Sequence, residues 1–205
     1  LWEPVVDGDF LPTGPVLDNG FAETGRDIPL LIGSNLNEWT VWNGAEMADP
    51  NAPMSDEELA ARMTEQYGDN AERVASAFAA AYPNEPATEA LYVDSTLIRL
   101  PILKLTAHKA DQGGAPVYSY IFSWGTSYHT SEIPFVFDNT DRVTVSGDPD
   151  EARVLSEMMS QAWINFARTG DPNGEGVPAW EPYTREGGAT MIFDNESYLT
   201  YNHDR

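Results

Sequence analysis

The sequence predicts an α/β architecture, and it predicts that this chain is one piece of a larger layered structure. Three observations carry that reading. "IPLLIGS" (Ile28 to Ser34) is a continuous apolar run closing on glycine, the pattern of a strand buried on both faces of a parallel sheet. Leu155, Met159, Ala162 and Phe166 recur at helical spacing with Trp163 beside them, so one long helix offers a broad apolar stripe to a sheet. Only three segments read convincingly as strands, too few to bury the helices around them.

Taken in order, "WEPVVDGDFLPTGP" (Trp2 to Pro15) is extended and turn-rich, with Asp7-Gly8 as a turn signal. The strand at 28–34 runs into a loop, Asn35-Leu36-Asn37-Glu38. Ser55 followed by Asp56, Glu57 and Glu58 is a capping box that opens a helix reaching Gln66 or Tyr67. A second helix spans Asn70 to Tyr82, with Asn70 as its cap and Pro83 closing it. A longer helical pattern runs from Thr88 to about Ala110, with a kink or break expected at Pro101. After Gly113-Gly114, "APVYSYIFS" (Ala115 to Ser123) is β-branched and aromatic and reads as a strand. Asp148-Pro149 opens the long helix, which runs through Arg168 and ends at Gly170. "ATMIFD" (Ala189 to Asp194) reads as a final strand. There is no internal repeat or linker, so residues 1–205 are expected to belong to a single domain.

Composition narrows the function classes. Thirty-three acidic residues face eleven Lys plus Arg, a net charge of −22, so a polyanion partner is disfavoured and no nucleic-acid binding is expected. The acidity suits solubility, and a secreted or periplasmic setting of bacterial type is favoured over a cytoplasmic one. With no cysteine, disulfides, thiolate metal sites and cysteine nucleophiles are excluded. No apolar stretch approaches about 20 residues, so no membrane-spanning helix is expected. The opening "LWEPVVDGDF" lacks the basic start and apolar centre of a signal peptide, and it begins in mid-pattern on apolar residues that need a partner.

Chemistry is concentrated at two loops. Glu38 lies just beyond the first buried strand, where open α/β sheets gather functional groups. A loop carboxylate is in most proteins simply solvated, but Trp39 and Trp42 beside Glu38 argue for a partly buried setting. His129 lies in "SYHTSEIPFVFD", a short polar loop after a strand, with Glu132 three residues on. Loop histidines are more often surface or capping residues than bases. The pair is 91 residues apart, each member just past a strand, in the order acid then base. That is the order of the last two members of a Ser…Asp/Glu…His triad, where the acid orients the imidazole and the imidazole takes the serine proton. Spacing alone does not distinguish these residues from ordinary loop residues. His108 and His203 read as surface residues.

The motifs around the pair resemble those of the type B carboxylesterases, the family of cholinesterases and bacterial para-nitrobenzyl esterases. "IPLLIGSNLNEWTVW" is similar to the family's acid-bearing segment, and "YHTSEIPFVFD" to its histidine segment. "PVVDGDFLP", "WINFARTGDPN", "AWEPYT" and "TMIFD" match flanking stretches in order along nearly the whole chain. The resemblance implies the C-terminal part of an α/β-hydrolase fold, a mixed, mostly parallel sheet with flanking helices, incomplete without an N-terminal portion. It implies Glu38 as catalytic acid, His129 as base and Glu132 as the acid that follows the base, with no metal and no cofactor. Trp39, Trp124 and Tyr128 are candidates for a substrate pocket, with core packing as the competing role for each. The chain departs from the family pattern at Trp39, where glycine is usual, and in the short "WGTSY" ahead of His129.

No Gly-x-Ser-x-Gly elbow is present, and Ser127 and Ser131 are too close to His129 in sequence to present a hydroxyl to it correctly. The reading is therefore a serine esterase working through an acyl-enzyme on a small-molecule ester. A complementary N-terminal segment would bring the nucleophile. This chain alone would be inactive, and its exposed apolar face would bind that segment or a second copy as a homodimer. The alternative is a non-catalytic, esterase-like interaction module.

Overall fold

The structure is a computed structural model that describes residues 5–14, 16–17, 20–38, 54–81, 83, 87–91, 98–125, 127–143 and 149–204. Its centre is a four-stranded sheet. β3 (Leu30–Asn35), β4 (Val117–Phe122), β5 (Thr190–Phe193) and β6 (Tyr198–Thr200) lie in that order, after a small antiparallel hairpin of β1 (Val16–Leu17) and β2 (Gly20–Phe21). β3, β4 and β5 are parallel and β6 is antiparallel to β5, so the sheet is mixed and mostly parallel, as expected. The sequence reading missed the hairpin and β6. Both are very short, and β6 follows a turn held by the Ser197 hydroxyl, which accepts from the Asp194 N–H and donates to the Asp194 carbonyl.

β3 and β4 are in register from Leu30 opposite Val117 to Asn35 opposite Phe122. At Gly33 the partner is Tyr120, and a Cβ there would lie 2.3 Å from the Tyr120 ring. The missing side chain lets that ring lie across β3 while its other contacts reach Trp163 and Phe193 at centroid distances of 5.1 and 6.0 Å. The strand also runs one residue past its expected end, making the buried Asn35 its last member.

The helices follow the sequence with two corrections. α1 (Asp56–Tyr67) begins at the expected cap, with the Ser55 side chain accepting from the Glu58 N–H. A 3₁₀ turn at Gly68–Asn70 joins it to α2 (Ala71–Ala81), and Met63, Phe78, Ala90 and Leu91 form a satellite core there. The long pattern from Thr88 is not one helix. A 3₁₀ turn occupies Ala87–Leu91, and α3 spans Arg99–Gln112. Pro101 falls in the first turn of α3, where no backbone N–H is needed, so it marks a helix start and not a kink.

The main core lies between the sheet and α5 (Pro149–Thr169). Leu155, Met159 and Ala162 are buried against Tyr118, Phe122, Trp180, Met191 and Phe193, with Trp163 and Phe166 at the border, as the stripe predicted. The apolar run after His129 forms α4 (Ile133–Val136), a single turn with Pro134 near its start. One residue of it anchors the loop. Phe135 is buried, with ring centroids 4.9 Å from Phe122 and 5.1 Å from Trp124, whereas Ile133 and Phe137 face outward.

Candidate active site

Parallel pairing of β3 with β4 carries both loops out of the same end of the sheet. The pairing continues past the strands: the Leu36 N–H donates to the Phe122 carbonyl, the Asn37 N–H to that of Ser127, and Asn37 bridges Tyr128 in parallel. Residues 91 apart thus become neighbours, and Glu38 Oε2 lies 2.6 Å from His129 Nδ1. Glu38 is 4% exposed, while the His129 side chain is 37% exposed. The acid is inside and the base reaches the surface.

The other carboxylate oxygen, Glu38 Oε1, accepts the Asn35 N–H at 2.8 Å. Burial pushes the Glu38 carboxyl above its ordinary value, and Glu132 adds to this. The Asn35 N–H and the His129 ring pull the other way. Burial, together with Glu132 and Glu38, also pushes the Tyr120 phenol up, so Tyr120 stays a neutral wall beside the two acids. With Nδ1 engaged by the carboxylate, the nitrogen left to take a proton from a nucleophile is Nε2. The backbone around the ring is tightly specified. Ser127 and Thr130 both hold positive φ, +41° and +74°, a conformation that a β-branched threonine adopts only when its surroundings impose it.

The remaining candidates are placed as follows. Glu132 joins the cluster through Asn35, whose Nδ2 donates to Glu132 Oε2 at 2.5 Å. Tyr128 contributes its backbone, its carbonyl accepting Asn35 Nδ2 at 2.8 Å. Trp124 sits in the main core, packed on Phe135, with its indole N–H donating to Asn195 Oδ1 at 2.6 Å. Trp39 and Trp42 lie outside the described residues. Ser127 and Ser131 are buried, with no hydrogen-bond partner for either hydroxyl. His203 is not the surface residue expected. Its ring approaches Asp204, which Arg99 clasps through Nε at 2.9 Å and Nη2 at 2.6 Å. Asn35 was missed as a site residue, although a polar residue directly after a buried apolar strand was the available signal.

Comparison with known proteins bears on this geometry. The carboxylesterase family model matches residues 1–204. The para-nitrobenzyl esterase of Bacillus subtilis (strain 168) is 32% identical over 211 residues, covering 96% of this chain and 40% of that protein. Bile salt-activated lipase of Homo sapiens is 30% identical over 210 residues, covering 89% of this chain and 27% of its own length. An esterase from Clostridium hathewayi, described as able to hydrolyse aliphatic aromatic polyesters, superposes with a TM-score of 0.72 at 32% identity, over 90% of this chain and 37% of that one. A carboxylesterase of Geobacillus stearothermophilus superposes with a TM-score of 0.67 at 29% identity, over 98% and 42%. The chain therefore spans less than half the length of each, and its architecture is part of the α/β-hydrolase fold they share. A match running the length of the sequence, on a sheet that superposes on solved esterases, makes this chain a member of the carboxylesterase family.

Proposed function

We propose that this chain supplies the acid and base of a Ser-Glu-His triad in a carboxylic ester hydrolase, and that the serine and its oxyanion hole come from a complementary N-terminal segment. The observation that carries the proposal is the 2.6 Å contact between a buried Glu38 carboxylate and Nδ1 of a half-exposed His129. In the reaction, His129 Nε2 takes the serine proton as the hydroxyl attacks the ester carbonyl. The resulting imidazolium lies against Glu38, which stabilises it and keeps the ring oriented. Nε2 then gives the proton to the leaving alcohol, and an acyl-enzyme remains. A water activated by the same ring completes hydrolysis. Glu38 stays ionised throughout.

Exposed surface supports the call for a partner. β3 pairs only with β4 among the described strands, and Ile28, Leu36, Ile133 and Phe137 are exposed apolar side chains, Phe137 at 71%. An assay of the chain alone, and of the chain combined with a segment bearing Gly-x-Ser-x-Gly, tests the proposal on a para-nitrophenyl ester. Turnover is expected only in the combination, with His129→Ala lowering kcat by roughly 10⁴-fold or more. Turnover by the chain alone that is lost on His129→Ala would refute the division of the triad. A combination that binds the ester but never turns it over would leave the chain an interaction module.

A further inference from the structure

Asn35 is 3% exposed and makes three hydrogen bonds that converge on the acid–base pair. Its backbone N–H holds Glu38 Oε1 at 2.8 Å. Its side-chain Nδ2 donates to the Tyr128 carbonyl at 2.8 Å and to Glu132 Oε2 at 2.5 Å, across 93 and 97 residues of sequence. One residue thus ties the acid loop to the residue before His129 and to the carboxylate three beyond it. The amide can be placed in only one sense. Turned over, Asn35 Oδ1 would meet a carbonyl and a carboxylate, both acceptors. In the observed sense Oδ1 is buried without a partner, as are the hydroxyls of Ser127 and Ser131 in the opposing loop. The unsatisfied Oδ1 carries a desolvation cost, so what the amide supplies here is its two donated hydrogen bonds across the loops.

We propose that Asn35 is a positioning residue for the acid–base pair: its side-chain amide splints the Glu38 loop to the His129 loop and damps the charge of Glu132 beside them. The proposal rests on the esterase reading above. Two consequences separate from each other. Losing the amide frees the Tyr128–His129 backbone, so the ring is misplaced relative to the attacking serine. It also leaves the Glu132 carboxylate undamped beside Glu38 and Tyr120, the titratable groups that feel its charge. Undamped negative charge stabilises an imidazolium beside it.

The test uses the complete enzyme with Asn35→Leu, Glu132→Gln and the double variant. Every substitution at 35 keeps the backbone N–H that holds Glu38, so only the side-chain splint is removed. Asn35→Leu is expected to lower kcat roughly 10- to 100-fold with KM within about twofold. The acid limb of the kcat/KM profile should move upward. Adding Glu132→Gln should return the limb to its original place and leave kcat low. An acid limb unmoved in Asn35→Leu, or still displaced in the double variant, would overturn the proposal. If Asn35→Leu fails to fold, Asn35→Asp keeps the size and loses the donor, and its limb must move further upward. NMR titration of selectively labelled histidine reads the His129 shift without turnover. If His129→Ala and Glu38→Gln keep wild-type activity, the esterase reading falls, while this titration still decides the splint.

Discussion

Replacing Glu38 by glutamine changes one oxygen to an amide and leaves the outline of the side chain intact. The two ends of the carboxylate have fixed and different tasks. Oε1 accepts the Asn35 N–H at 2.8 Å, and Oε2 faces His129 Nδ1 at 2.6 Å. Glutamine has a single acceptor oxygen, and the buried N–H claims it. The amide NH₂ then points at Nδ1, which must accept. The ring proton moves to Nε2, where it blocks removal of a proton from serine. Turning the glutamine over restores the tautomer but sets NH₂ against the buried Asn35 N–H, a mismatch of about 1–3 kcal/mol. The productive orientation is then roughly a fifth to under a hundredth of the population, and it carries no charge to stabilise imidazolium. The combined loss in kcat is roughly 10⁴-fold, about 5.4 kcal/mol of barrier. Steady-state hydrolysis of a para-nitrophenyl ester by the complete enzyme measures it. A Glu38→Gln enzyme within tenfold of wild-type kcat would refute the tautomer argument and point to another acid.

The same substitution should act oppositely on stability. Burial raises the Glu38 carboxyl in the folded state, so its contribution to stability is full below the unfolded value of 4.5 and is lost as pH rises through the folded one. Glu38→Gln should therefore have a higher Tm than wild type at pH 7 and little advantage below pH 4.5 in thermal melts. Asp204 has the reverse sign. Burial pushes its carboxyl up, but His203 and Arg99 outweigh that and hold it down at about 2, against an ordinary 3.8. Asp204→Asn should lower stability by about 1 kcal/mol above pH 4, solvent screening reducing the full effect of the shift, and the loss should fade as pH falls toward 2, as followed by urea unfolding. Gly33→Ala should cost about 1–3 kcal/mol by chemical denaturation, because the new methyl must displace the Tyr120 ring from beside Trp163 and Phe193.

Much of this arrangement was legible in the sequence because the signals were local. The stripe at Leu155, Met159 and Ala162 names its own buried face, and Ser55 with Glu58 names its own helix start. Pro101 misled because the same residue breaks a helix interior and favours a helix start. Only the position of the first turn, at Arg99, decides between the two. β6 was invisible because a three-residue edge strand takes its identity from β5 and has too few residues to show a period. Trp124 is placed by packing as well as by sequence. It lies five residues before His129, yet its neighbours are Phe135 and Asn195.

Glu38 and His129 were legible as a pair only through order and motif, since nothing in a 91-residue separation says that two loops touch. The contact follows from register. Asn35 opposite Phe122 sets Asn37 opposite Tyr128, and the next residues on each side are Glu38 and His129. The β4 side has more residues between those two pairings than the β3 side, and Ser127, just before the second pairing, holds a positive φ. A slip of one residue between β3 and β4 would turn Asn35 to the opposite face and separate every member of the cluster. The site is therefore a property of one strand pairing. Asn35, proposed above as its positioning residue, sits in the strand itself, where sequence reading looks for packing and not for chemistry.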